Sequence, residues 1–459
     1  MTEDAASARP EPGGAPRSAG LGESGPEPER LSAGPSQPRP GAGPGRATAG
    51  RSAWRRLVGV AAFLGPGLVA ANAGNDAGGI VTYAAAGAQF GYRTLFFMVL
   101  VTVAYVVVQE MTARLATFTG KGLAALIREE FSIRLTGFAM VCLTIANLGL
   151  VVTEFAGIAA AFALFGVGRY ISIPLAAVLI FLLVVFGSYR YAERVFLVLS
   201  VAFLAYIPAA LLGHPDWGAV ASNLVLPHFL FSRSFLFLGV ALIGTTITPY
   251  IQLYEAGAVV DRGVGPEDYR LQRIDAITGA VFSDLISVFI IVATAAALAN
   301  HPQVLTSAAQ AAEALRPVAG RGAVVLFGIG LLGASALAAA VVPLSTAYAV
   351  GEAIGVERSV SARFREAPVF LGVFTAQLAL GVLVVLVPGN LISLIVNAQI
   401  LEGVITPIIL AFILVLANRR RLLGDAVNGP TFAKVAFICV VAVAILSGVV
   451  VVQSAAGLF

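Results

Sequence analysis

From Leu57 onward the chain is a succession of apolar runs separated by short polar connections. A membrane-spanning helix needs about 20 mostly apolar residues. Eleven runs reach that length, near residues 57–88, 92–116, 134–165, 170–187, 194–213, 235–260, 275–299, 321–352, 368–387, 390–417 and 431–454. The pattern predicts an all-α polytopic membrane protein. Two of the runs are interrupted. In the first, Asn72-Ala73-Gly74-Asn75-Asp76-Ala77-Gly78-Gly79 lies between apolar stretches from Leu57 to Ala71 and from Ile80 to Phe90. In the sixth, the break is Gly244-Thr245-Thr246-Ile247-Thr248-Pro249-Tyr250. A carboxylate placed mid-membrane is costly and marks function. Glycines beside it let a helix unwind, and the freed carbonyls then need a partner such as a cation.

Lys and Arg counts orient the chain. With the N-terminus inside, sixteen basic residues fall in inner loops, among them Arg114, Arg128, Arg273 and the run Arg419-Arg420-Arg421. Five fall in outer loops: Arg93, Arg169, Arg233, Arg316 and Arg321. This predicts a multi-pass cell-membrane protein with a cytoplasmic N-terminus and a C-terminus that is extracellular or periplasmic. Segments 1–5 (residues 54–216) and 6–10 (residues 235–417) form two sets of five. An odd number per set inverts the second relative to the first, and each set opens with a broken helix. That is the LeuT-like inverted-repeat plan of many secondary transporters, with a binding site at the midplane. Residues 217–234 are read as an extracellular loop, and segment 11 (431–454) lies outside the repeat.

Residues 1–53 differ in kind. The first 50 hold nine Pro and ten Gly and no aromatic residue. Such a segment cannot bury enough apolar area to offset its ordering entropy, so it reads as a disordered cytoplasmic tail. It lacks the apolar core of a signal peptide.

Composition narrows the function. Only 12% of residues are charged and 58% are hydrophobic, against about 25% charged in soluble domains. The net charge of +4 is explained by inner-loop arginines and requires no nucleic-acid partner. Cys142 and Cys439 both lie in apolar runs and read as buried thiols. No nucleophile–base pair, cofactor motif or CxxC or HExxH spacing is present, so the chain is not read as an enzyme and no cofactor is expected. The partners expected are a transported ion and the lipid bilayer, with the protein a monomer.

Gly65-Pro66-Gly67, then Asp76-Ala77-Gly78-Gly79, then Gly87-Ala88-Gln89-Phe90-Gly91-Tyr92 together resemble the first helix of the Nramp family of divalent-metal transporters. Gln109-Glu110-Met111-Thr112-Ala113-Arg114-Leu115 and Thr119-Gly120-Lys121 fit the same family at segment 2. Thr248-Pro249-Tyr250 stands where the family has Met-Pro-His, and Gln399 and Pro407 match a Gln and a Pro in segment 10. The resemblance runs from residue 55 to about 455. It implies a metal site built from Asp76, with Gly79 in place of the family's Asn ligand, Thr248 in place of its Met, and Thr245 where a backbone carbonyl ligand is expected. A second helix-6 His becomes Glu255. In segment 3, Glu154 matches the family's Asp and Gly157 its nearby Glu. This combination resembles the Nramp-related magnesium transporters.

The chemistry of the substitutions agrees. A Met thioether is soft and favours transition metals, whereas magnesium is hard and tends to keep several waters. Thr for Met and Gly for Asn remove soft character and bulk together, leaving a wider, oxygen-lined site in which water mediates contacts to Asp76, Glu154, Thr248 and Gln399. Plainer roles compete at each position. Asp76 is also a natural N-cap, Thr248 could back-bond to a carbonyl, and Asn72 and Asn75 either cap the unwound segment or coordinate. Glu154 could be a neutral structural residue. Asp284 and Glu402 serve either the ion or neighbouring unwound backbone. Glu255 lines the inner end, and Glu110 and Glu352 are expected to snorkel.

His214, His228 and His301 are all predicted in outer loops, so no histidine relay crosses the membrane. The expectation is import of divalent cations, Mg2+ with Mn2+ also accepted, by alternating access and uncoupled from protons. Two alternatives stay open: a proton-coupled Mn2+/Fe2+ importer of the Nramp type, and a Na+-coupled organic-solute symporter of LeuT-like fold.

Overall fold

The computed structural model describes residues 76–185, 201–298, 303–355 and 367–456. The tail, the first half of segment 1 with Asn75, and His301 lie outside these residues. The principal helices are α1 (Ala77–Phe90), α2 (Leu95–Thr119), α3 (Leu123–Glu130), α4 (Ile133–Leu164), α5 (Arg169–Val185), α6 (Tyr206–Leu212) and α7 (Trp217–Val225). There follow α8 (Arg233–Thr246), α9 (Pro249–Asp261), α10 (Tyr269–Ala297), α11 (Ala323–Ile354), α12 (Pro368–Leu386), α13 (Leu391–Ala417) and α14 (Pro430–Ala456). Among the described residues, eight helical stretches are long and apolar enough to cross a membrane, and two shorter apolar helices stand at segments 4 and 5.

Local chemistry sets the helix ends. Ser132 opens α4 by accepting from the Leu135 N–H, Ser232 opens α8 by accepting from Phe235, and Asn390 opens α13 by accepting from Ser393. Pro249 and Pro368 occupy first turns, where a missing N–H costs nothing. Gly120 ends α2 with φ +62, a left-handed conformation that glycine adopts without strain.

Central to the bundle is α4, which packs against α11 and α13. Around it α8 packs on α13, and α10 on α1 and α2. The outside is apolar, as lipid contact requires: Phe437, Ile438, Ile445 and Val452 on α14 and Leu175, Val178 and Leu182 on α5 are exposed.

Helices α8 and α13 meet backbone to backbone. A Cβ on Gly244 of α8 would lie 2.2 Å from the Gln399 carbonyl oxygen of α13. One on Gly403 would lie 2.1 Å from the Val240 carbonyl oxygen. Small residues permit this approach where there is no hydrophobic drive between helices. Ser447 of α14 then donates to the Gly403 carbonyl at 2.8 Å.

Two expectations change. Residues 217–234, read as a loop, contain α7, because Asp216 caps its first turn by accepting from the Ala219 N–H at 3.0 Å. Glu110 does not snorkel. It is 3% exposed, pairs with Arg114 at 3.1 Å and Arg273 at 3.8 Å, and accepts from the Tyr269 hydroxyl. At the same Arg-rich end, Glu130 receives Arg419 at 2.5 Å and Arg421 at 2.7 Å. Partial burial favours the neutral form of Glu130, but these two guanidinium groups outweigh it and hold the carboxyl below the usual range.

Gly244→Ala should destabilise the bundle by about 1–3 kcal/mol, because the added methyl meets backbone that cannot rotate away. Gly448→Ala on α14, where a Cβ meets nothing within 4 Å, should be neutral or stabilising by about 0.5–1 kcal/mol. Thermal unfolding in detergent compares the two. Because the Glu130 carboxyl sits below its ordinary value of 4.5, its contribution is complete above that pH and is lost as pH falls through the lower folded value. The melting gap between wild type and Glu130→Gln should be fully open near neutral pH and close in strong acid.

Candidate cation site

Helix α1 starts abruptly, inside the protein. Asp76 has extended backbone (φ −73, ψ −176), and its Oδ1 accepts from the Gly79 N–H at 2.8 Å. The Ala77 N–H donates to Glu154 Oε2 of α4 at 3.4 Å. Two carboxylates therefore meet the positive end of one helix, where orphan N–H groups and the helix dipole favour negative charge. Each uses one oxygen there. Asp76 Oδ2 and Glu154 Oε1 are buried and have no hydrogen-bond partner among the described residues.

Glycines make this approach possible. A Cβ on Gly157 would lie 2.4 Å from both the Ala77 Cβ and the Ser335 Oγ of α11. The position where the resemblance implies a Glu is thus occupied here by the start of α1. A Cβ on Gly78 would lie 2.1 Å from Gln399 Nε2 of α13. Gln399 is held from the other side by Thr153, which receives its Nε2 at 3.5 Å. The amide oxygen Gln399 Oε1 has no partner.

The sixth segment is interrupted as its sequence suggests. Ile247 (φ −109, ψ 52) ends α8, and Thr248 in extended conformation precedes α9. Pro249 has no N–H, so the Thr245 carbonyl lacks the donor that a continuous helix would supply. The hydroxyls also behave unusually. Thr102, Thr117, Thr144, Thr153, Thr346 and Thr406 each donate to the carbonyl four residues earlier. Thr245 Oγ1 and Thr248 Oγ1 make no bond among the described residues, though both residues are fully buried; the buried Thr82, Thr94 and Thr294 hydroxyls share that state. Thr246 turns the other way, to the Tyr83 hydroxyl at 2.9 Å, joining α8 to α1.

Asp76, Glu154 and Gln399 are thus gathered directly around Ala77 and Gly78, with Gly244 against the Gln399 carbonyl bringing Thr245 alongside. Gly79 offers room and a capped N–H, not a side-chain ligand. Asn75 lies outside the described residues. Asp284 is elsewhere: it interacts with Thr102 and with Tyr83, the latter about 10 Å along α1 from Asp76 at 1.5 Å per residue. Glu255 accepts from Gln272 Nε2 at 2.9 Å and belongs to a network with Asp275 and Arg262. Thr153 and Ser335 support the site but carried no signal in the sequence. Among the described residues, no three of His, Cys, Asp and Glu converge closely enough to hold a bare metal ion. Two carboxylates and several neutral oxygens suit a dication that keeps part of its water shell.

The fold is shared with solved transporters. A manganese transporter from Eremococcus coleocola superposes with a TM-score of 0.68 over 84% of this chain and 85% of its own, at 19% identity. Mhp1, a nucleobase-cation-symport-1 family transporter, superposes with a TM-score of 0.53 over 85% of this chain and 92% of its own, at 15% identity. By sequence, the divalent metal cation transporter MntH of Ralstonia nicotianae is 33% identical over 61% of this chain, the match spanning 66% of the relative, just under two thirds of its length. MntH of Klebsiella pneumoniae is 27% identical over 86% of this chain and 95% of its own. The sequence profile described as natural resistance-associated macrophage protein-like matches residues 67–453, and the chain belongs to the Nramp family.

Proposed function

We propose that this protein is a secondary transporter that imports divalent metal cations by alternating access, with Mg2+ as the main cargo and Mn2+ also accepted, and without proton coupling. The observation that carries this reading is a set of buried oxygens without partners among the described residues: Asp76 Oδ2, Glu154 Oε1, Thr245 Oγ1, Thr248 Oγ1 and Gln399 Oε1. They come from the start of α1, α4, the α8–α9 break and α13. Buried polar atoms are almost always satisfied in a finished protein. A hard, partly hydrated dication satisfies oxygens of this kind; a soft metal gains less from them. In the same reading the chain has eleven spans, the first helix is unwound before Asp76, and the protein works as a monomer in the cell membrane without a cofactor, its N-terminus inside and its C-terminus outside.

Uniport is energetically sufficient. A dication moving inward down the membrane potential gains roughly 4.6 kcal/mol per 100 mV, twice the single-charge value. The second reading is a proton-coupled Mn2+/Fe2+ importer. It is favoured by the relatives, which are named as MntH divalent metal cation transporters and as a manganese transporter. Asp284 and Glu402, buried within the bundle, are the groups on which such coupling would fall.

Asp76→Ala should abolish divalent-cation binding and uptake, since it removes both the helix cap and a charge. Glu154→Gln keeps size and hydrogen bonding but loses charge, so it should lower apparent affinity without abolishing uptake. Calorimetric binding on the purified protein, paired with proteoliposome flux, separates the two outcomes. The decisive test of cargo and coupling is uptake of Mg2+ or Mn2+ into proteoliposomes under an inside-negative potential, with a pH dye trapped inside. Cation uptake with a flat interior pH is expected. Cation-dependent acidification would favour the proton-coupled reading, and Mn2+ uptake without Mg2+ uptake would remove magnesium as cargo.

A further inference from the structure

Glu402 of α13 lies one turn beyond Gln399. It is fully buried, and among the described residues neither Oε1 nor Oε2 has a hydrogen-bond partner. Asp76 and Glu154 each spend one oxygen on the start of α1; Glu402 spends none. Its backbone carbonyl is used separately, by Thr406 Oγ1 at 2.8 Å.

Its position ties it to the same site. Glu402 is three residues after Gln399, one helical turn, hence about 4.5 Å further along α13. That direction leads to the Arg419-Arg420-Arg421 end of the bundle. On neighbouring faces of the same turn, Gly403 abuts Val240 of α8, and Leu401 and Ala398 face Gly149 of α4. Glu402 lies within electrostatic reach of Asp76, Glu154 and Tyr250, all buried at the site.

Neither protonation state suits such a place unaided. Ionised, it has two bare oxygens in apolar surroundings. Neutral, it has an O–H with no acceptor. Both are costly. A hydrated dication supplies what the ionised state lacks, because its bound waters donate strong hydrogen bonds to a carboxylate. Among the described residues no three acidic side chains converge at coordinating distance. Contact through the ion's water shell fits that spacing.

We propose that Glu402 is a third carboxylate of the cation site, holding a hydrated dication through its waters one turn beyond Gln399 toward the Arg-rich end. The inference rests on the divalent-cation reading above. It makes Glu402 a determinant of affinity and of preference for double over single charge.

Glu402→Gln is the informative change, because Gln reproduces the shape and hydrogen bonding of a neutral acid. If Glu402 is only a neutral structural group, the variant should behave as wild type. If its charge holds the ion, Mn2+ and Mg2+ affinity should fall about tenfold or more, as loss of an outer-shell partner does elsewhere. Calorimetry on the full-length protein in detergent reads this, with the melting temperature as a check on folding and proteoliposome uptake resolving KM from Vmax. Glu402→Asp, which keeps the charge, should recover part of the affinity. If Glu402→Gln does not fold, Glu402→Asp carries the test: a shift in Mn2+ affinity supports the assignment and an unchanged affinity overturns it. Asp76→Ala measured alongside separates the two claims. Loss of binding in Asp76→Ala with wild-type binding in Glu402→Gln overturns the Glu402 assignment alone. Wild-type binding in both variants, or no binding of either ion by the wild type, overturns the site reading together with it.

Discussion

A helix that begins inside a bilayer has N–H groups that no water can reach, and this constraint organises the molecule. Asp76 and Glu154 meet the need at the start of α1. A carboxylate has more acceptor capacity than one N–H requires, so each keeps an oxygen in reserve. The interaction that caps the helix is thus the same one that leaves two buried carboxyl oxygens without a partner among the described residues. Gly78 and Gly157 matter because they let α13 and α4 come close enough to share it. The oppositely directed end at Thr245–Thr248 adds carbonyl and hydroxyl oxygen without charge.

How much of this the sequence displayed follows from the range of each interaction. Asp76 and Thr248 stood out because a polar residue in an apolar run has few plain explanations; in the structure Asp76 caps the start of α1 and Thr248 lies between α8 and α9. Glu154 stood out for the same reason. The competing roles proved partly compatible: Asp76 caps α1 with one oxygen and keeps the other free. For Thr248 the back-bond to a carbonyl does not form. What sequence could not show were partners brought from far away. Glu110 looked like a surface residue because Arg273 and Tyr269 lie some 160 positions on. Gly157 looked like a lost ligand, whereas its place is needed by Ala77. Helix α7 is too short to register as an apolar run and is set by one capping aspartate.

Family and site carry different information here. The bundle superposes on a manganese transporter at 19% identity, so helix order and packing survive nearly complete replacement of side chains. The residues at the two breaks are free to vary within that frame, provided the helix ends stay satisfied. Thr248 shows the latitude. Its backbone precedes α9 in the extended conformation that Pro249 imposes on its neighbour, and this leaves the side chain to chemistry instead of structure.

The glycine contact between α8 and α13 has a mechanical meaning. Gly244 and Gly403 bring two backbones to a distance at which neither can slide past the other without collision, and Ser447 adds a pin from α14. During any rocking motion these helices must travel as one lever. Thr245 rides on one arm, and Gln399 and Glu402 ride on the other. Under the proposed alternating access their mutual spacing is conserved, and any change at the site falls on their distance to Asp76 and Glu154, which other helices carry.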